Sequence, residues 1–171
     1  MNENVNPAIK AERNQFMSTY HMLKKMVDVC PDEVWKEYYY GVPFWYQVYH
    51  CVYFMDFWFR KEYKTEFIPL SDIGQGIPPE FEYEIPEEAF ISRTDMKTYL
   101  SILEEKIDAF FYGIQDSDLG KHIDSPLFFM TYADIIASQN RHVMYNMGYL
   151  NGILRSMNLE ESDWWAYNEP K

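Results

Sequence analysis

Residues 42–59, VPFWYQVYHCVYFMDFWF, run for 18 positions without a lysine or arginine, and they constrain this chain more than any other stretch. The length approaches that of a membrane span, about 20 residues. Yet Gln47, His50, Asp56 and three tyrosines interrupt it, and Leu and Ile are absent. Polar and ionisable groups are costly in hydrocarbon, so no membrane is expected. A helix that is apolar nearly all round belongs at the centre of a protein with several neighbours. The segment therefore predicts a central helix from Pro43 to about Glu62.

Three further long helical patterns can supply the neighbours. In the first, Pro7 to Cys30, the residues Phe16, Tyr20, Leu23, Val27 and Cys30 recur in steps of four and three, which is one face of a helix. Pro7 suits a first turn and Pro31 enforces the stop. A short helical turn is expected over Asp32 to Tyr38, before Gly41 and Pro43. Another long pattern starts at Ser92 or Thr94, either of which can cap it. Its apolar face is Met96, Tyr99, Leu103, Ile107, Phe110 and Ile114. The last runs from about Thr131 to Met157.

Between Tyr63 and Arg93 the periodicity dissolves. Pro69, Pro78, Pro79 and Pro86, with Gly74 and Gly76, rule out a long helix there, and FEYEI at 81–85 gives only a weak strand signal. Such a long connection suits a lid or an interface arm. The expected fold is all-α: a four-helix bundle with a long connection between the second and third helices, forming one domain over residues 1–171.

The chain carries 27 Asp+Glu against 15 Lys+Arg, a net −12. Such a surface repels phosphate backbones and anionic lipid heads, so neither nucleic acid nor a membrane surface is an expected partner. Cys30 and Cys51 have no zinc-ribbon or CxxC spacing, and read as two buried thiols in a reducing cytoplasm. The opening Met1–Asn4 does not read as a secretory leader. Trp164 and Trp165, in an acidic and aromatic tail, need a groove or a partner chain to cover them.

The fourth helix carries a mixed stripe. Ile135, Gln139, His142, Asn146, Tyr149 and Ile153 share one face, where an ordinary core would carry Leu or Val. His142 and Asn146, at i and i+4, can reach one point. On the central helix, Gln47 and His50 lie three apart in an aromatic setting with Tyr46 and Tyr53. A histidine buried there needs hydrogen-bond partners or a metal. His21 and His122 read as ordinary surface residues. Tyr145 and Tyr149 flank the stripe as possible hydrogen-bond donors, and Asp56, six residues from His50, falls on a different face.

The arrangement resembles the DinB-like family. The second helix reads WYQVYHCVYFMDFW, with His50 where that family carries its first metal ligand. The third begins SRTDMKTYL, similar to the family's Ser-Arg start and Tyr-Leu pair. The fourth reads RHVMYNMGYLNGILR, with His142 at the second ligand and Gly148 at the glycine two residues after the third. The likeness spans about residues 7 to 157. It departs at the third ligand, where the family's histidine is Asn146 here.

The resemblance implies a metal-dependent transferase or hydrolase. A divalent ion (Zn, Ni or Fe) held by His50 and His142, with Asn146 as a weak third ligand, would activate a thiol or a water. A carboxamide oxygen is a poorer donor to these ions than imidazole, so occupancy is the weak point. The alternative is a non-catalytic binding or interaction protein with a relic metal site and an aromatic pocket for a small molecule. Gln47, Tyr46, Tyr53, Gln139 and Tyr149 are the expected pocket lining. A homodimer is also expected, from the resemblance and from the frequency of two-fold closure.

Overall fold

In the computed structural model, which describes residues 6–125 and 129–167, each long pattern becomes a helix whose ends are set by local chemistry. Met1–Asn4 and the end of the tail, residues 168–171, lie outside the described residues. Helix α1, Pro7–Val29, begins on its proline, and its first amides donate to the Asp116 carboxylate. Helix α2, Asp32–Lys36, follows Pro31. Helix α4, Arg93–Tyr112, is capped by Ser92, whose Oγ accepts from the Asp95 amide at 3.1 Å. Helix α5, Tyr132–Ser156, opens with a reciprocal capping box between Thr131 and Asp134, which satisfies two of the amides left free in a first turn.

The central helix α3 spans Phe44–Trp58, four residues shorter at its C-terminal end than the sequence suggests. Phe59 leaves helical geometry and turns inward, fully buried, with ring centroids 4.6 Å from Phe16 and 5.0 Å from Phe110. The Tyr63 hydroxyl donates to the Trp58 carbonyl at 2.7 Å and satisfies one of the last free carbonyls. Helices α1 and α3 each pack against both α4 and α5. One hydrophobic core runs through all four, from Ile9 to Leu154. Cys30 and Cys51 are buried free thiols in it.

A small hairpin precedes α3. Strands β1, Tyr38–Tyr39, and β2, Val42–Pro43, pair antiparallel around Tyr40 and Gly41, whose φ values are +54° and +97°. Two positive φ values are what a tight two-residue hairpin turn demands. Gly41 announces that turn in the sequence, whereas Tyr40 gives no signal.

Asp56 is fully buried and faces α4. Its Oδ2 accepts from Tyr99 Oη at 2.7 Å and from the Leu70 amide at 2.8 Å. Lys106 Nζ bonds both Oδ1 and the Asp56 carbonyl, the latter at 2.6 Å. This network pins the start of the long connection to α3 and α4.

The connection itself contains neither helix nor strand from Tyr63 to Ser92, and FEYEI is irregular. It is strapped to one stripe of α3 instead. Tyr49 Oη donates to the carbonyls of Gly74 and Ile77, both at 3.2 Å. Tyr46 Oη donates to those of Pro78 at 2.7 Å and Glu80 at 2.9 Å. In the tail, Ser162 donates to the Met22 carbonyl at 2.7 Å, and Trp165 lies 5.6 Å from the His21 ring. Trp164 stays 74% exposed. Among the described residues no helix is long and apolar enough to cross a membrane.

Candidate functional site: a part-buried imidazole pair

Helices α3 and α5 run antiparallel, and the polar stripes of both meet. His50 Nε2 and His142 Nε2 are 2.7 Å apart, with ring centroids 4.7 Å apart in an edge-to-face arrangement. One helical turn away, Gln47 Nε2 donates to Asn146 Oδ1 at 3.3 Å. Phe54 borders both rings, 4.9 Å from His50 and 5.7 Å from His142. Phe81, from the long connection, stacks on His50 at 4.1 Å with 21° between planes. The strap thus roofs the pair.

The partners fix where the protons sit. His50 Nδ1 lies 2.7 Å from the Pro79 carbonyl oxygen, which can only accept, so His50 carries its proton on Nδ1 and offers a bare Nε2. His142 must then donate from its own Nε2. That leaves the His142 Nδ1 lone pair, which is buried and has no partner among the described residues. Burial holds both rings neutral. It lowers the His50 pKa against the opposing pull of the Pro79 carbonyl and Glu80. It brings His142 down to about 4, with the positive charge that His50 can carry adding to the effect.

Gln139 lies on the same face of α5, three residues before His142. It is 4% exposed, and its Oε1 is buried without a partner. Among the described residues, two acceptors on α5 thus lack donors. Buried polar atoms are rarely left unpaired.

The expected pocket residues separate into groups. Gln47 is linked to the imidazole pair through Asn146, and Gln139 is buried on α5 three residues before His142. Tyr46 is fully buried and serves the strap. Tyr53 borders Tyr49, Phe54 and Phe67, and with Tyr49 it lines a cavity of about 320 Å³ under residues 68–79. Tyr149 does not reach the imidazoles. It stands against Tyr40, 5.2 Å between centroids, in a separate groove of about 530 Å³ with Gly148 and Gly152. Position 149 shares the stripe but sits two turns beyond His142, where α5 passes the hairpin. Tyr145 is 80% exposed and donates nothing to the site. Nothing lies within 4 Å of a Cβ built on Gly148, so no helix packs tightly there. His122 is in a loop, its Nδ1 3.1 Å from the Phe129 carbonyl. His21 is half-buried, 3.4 Å from Glu104 and beside Trp165.

A metal can be tested against these residues. His50 is oriented as a ligand commonly is, with its far ring N–H on a carbonyl. The rest does not fit. Two imidazoles on a tetrahedral ion, with bonds of ~2.0–2.1 Å, hold their nitrogens roughly 3.3–3.4 Å apart, while these stand at 2.7 Å with a proton between them. Asn146 turns its Oδ1 to Gln47 and gives its Nδ2 to the His142 carbonyl at 2.9 Å. Among the described residues no group of three His, Cys, Asp or Glu side chains converges to hold an ion.

The strap and the hydrogen-bonding partners are what sequence reasoning missed. Pro79 and Phe81 carry no chemical signature, since one acts through a carbonyl and the other through a ring face. No protein-family model matches the chain, and no curated protein or solved structure matches it.

Proposed function

We propose that this chain is a DinB-like four-helix bundle whose centre is a neutral, hydrogen-bonded imidazole pair, and that it binds a small polar molecule there. The observation that carries the reading is the Nε2 to Nε2 hydrogen bond at 2.7 Å with its tautomers set by the Pro79 carbonyl. That arrangement satisfies the nitrogens a metal would use. It leaves His142 Nδ1 and Gln139 Oε1 as unpaired acceptors. A ligand suited to them brings hydroxyl, amine or amide N–H donors. The strap from Gly74 to Phe81 controls access.

The test is a pair of measurements on protein purified without a histidine tag. Elemental analysis is expected to find zinc, nickel and iron well below one ion per chain. A thermal-shift screen of small polyols, amines and amides is expected to give hits that Gln139→Leu and His142→Phe both abolish. One tightly held ion per chain, lost in His50→Ala, would overturn the reading.

A second reading keeps the metal-dependent transferase or hydrolase. The orientation of His50, Nδ1–H on a backbone carbonyl with Nε2 turned inward, favours it. In that case His50 and His142 would hold the ion and Asn146 would be the weak third position, the ion supplying an activated thiol or water. The same elemental analysis separates the two.

A further inference from the structure

Outside the imidazole pair, the unmet polar capacity of the described residues lies on Arg60, just past the end of α3. Its Nε and Nη1 are buried and have no hydrogen-bond partner. Its guanidinium carbon stands 4.5 Å from the Phe57 centroid, 5.2 Å from that of Tyr63 and 5.5 Å from that of Phe67. Rings stabilise the face of the cation and do nothing for its N–H edges. Arg13, Arg93 and Arg155 each hold a carboxylate, at 2.6, 2.8 and 2.7 Å. Arg60 holds none among the described residues, in a chain with 27 acidic side chains.

Asp56, four residues earlier, is not free to serve, because Tyr99, Leu70 and Lys106 already occupy both of its oxygens. Lys106 Nζ stands 5.4 Å from the centroid of the same Phe67 ring, but its charge is met by Asp56, which leaves Arg60 as the uncompensated cation here among the described residues. Arg60 as a residue is only partly buried while its Nε and Nη1 are enclosed, so an oxyanion reaches the guanidinium by displacing the side chains that cover it. A planar fork of donors matches an oxyanion in two-point contact. The aromatic walls favour a singly charged group with an apolar body over a strongly hydrated dianion.

We propose that Arg60, with Phe57, Tyr63 and Phe67, forms an oxyanion site that takes the carboxylate of a small organic acid, separate from the imidazole pair. The probes are benzoate and inorganic phosphate, titrated into full-length protein at constant ionic strength. The Arg60 Nε–H resonance is followed in arginine-labelled material and assigned by its loss in Arg60→Lys. The expected result is a saturable shift of Arg60 with benzoate, at least tenfold tighter than with phosphate. Benzoate binding by calorimetry should weaken at least tenfold in Arg60→Lys.

Arg60 shifting linearly and in step with Arg13, Arg93 and Arg155 would overturn the site. Phosphate binding as tightly as benzoate would overturn its assignment to carboxylates. Should Arg60→Lys fail to fold by near-ultraviolet circular dichroism, the Arg60 resonance is assigned by elimination with Arg13→Lys, Arg93→Lys, Arg141→Lys and Arg155→Lys, and the wild-type titration decides alone. His50→Gln is expected to leave benzoate binding unchanged, and a tenfold loss there would overturn the independence of the two sites. Failure of the thermal-shift screen at the imidazole pair leaves this outcome untouched.

Discussion

Acidification should destabilise this protein through His142. The folded ring is held neutral with a pKa of about 4, against 6.5 for a free imidazole. The unfolded chain therefore takes up a proton that the native state refuses. Stability is complete above pH 6.5 and is lost as pH falls toward 4. At pH 4.5 the linkage relation gives an upper value of roughly 2.6 kcal/mol, from about 1.36 kcal/mol per unit. The ring is only partly buried, so screening reduces this to ~1–2 kcal/mol. Urea unfolding at pH 7 and pH 4.5 measures it, with His142→Gln as the comparison. The variant should be the less stable at pH 7 and should lose ~1–2 kcal/mol less than the parent on acidification. Equal losses in the two proteins would mean that His142 titrates normally and that the pair is not held neutral by burial.

Other perturbations bear on the rest of the structure. Gly148→Ala and Gly152→Ala should each stabilise the fold by ~0.5–1 kcal/mol in denaturant unfolding, because both sites are open and alanine is the better helix former; a loss of stability would reveal a second chain packed on that face. Lys106→Met should cost ~3–5 kcal/mol by leaving the Asp56 carboxylate buried without its cation, and an effect below ~1 kcal/mol would show that solvent reaches Asp56. On the metal-dependent reading Asn146→His should raise zinc affinity roughly tenfold or more in chelator competition, since imidazole is the better donor; an unchanged affinity is the outcome expected of the hydrogen-bonded pair, in which the side chain at position 146 turns to Gln47.

Much of the helical framework is legible because the chain punctuates itself. Pro7, Pro31, Ser92 and the Thr131–Asp134 box mark ends that local hydrogen bonding enforces wherever the helix is placed. The meeting of His50 with His142 is expected from the family resemblance alone, and the polar stripes on the two helices are compatible with it. The end of α3 is not legible, because Phe59 leaves the helix to fill a space between α1 and α4 that only the packed core defines. Nor is the loss of Tyr149 from the site, which depends on how far α5 overshoots α3. The roof over the imidazoles is least legible of all. It is made by the Pro79 carbonyl and the Phe81 ring, and the strap that carries them is held on α3 through the carbonyls of Gly74, Ile77, Pro78 and Glu80, atoms that every residue possesses.

Nitrogen-15 spectroscopy of the histidine rings at pH 7 tests the account most directly. The predicted pattern is His50 protonated on Nδ1 and bare on Nε2, and His142 protonated on Nε2 and bare on Nδ1. A scalar coupling between the two Nε2 atoms should report the hydrogen bond that joins them. Two rings both protonated on Nδ1 and both bare on Nε2, the pattern of a pair of metal ligands, would contradict it, as would tautomer averaging with no coupling.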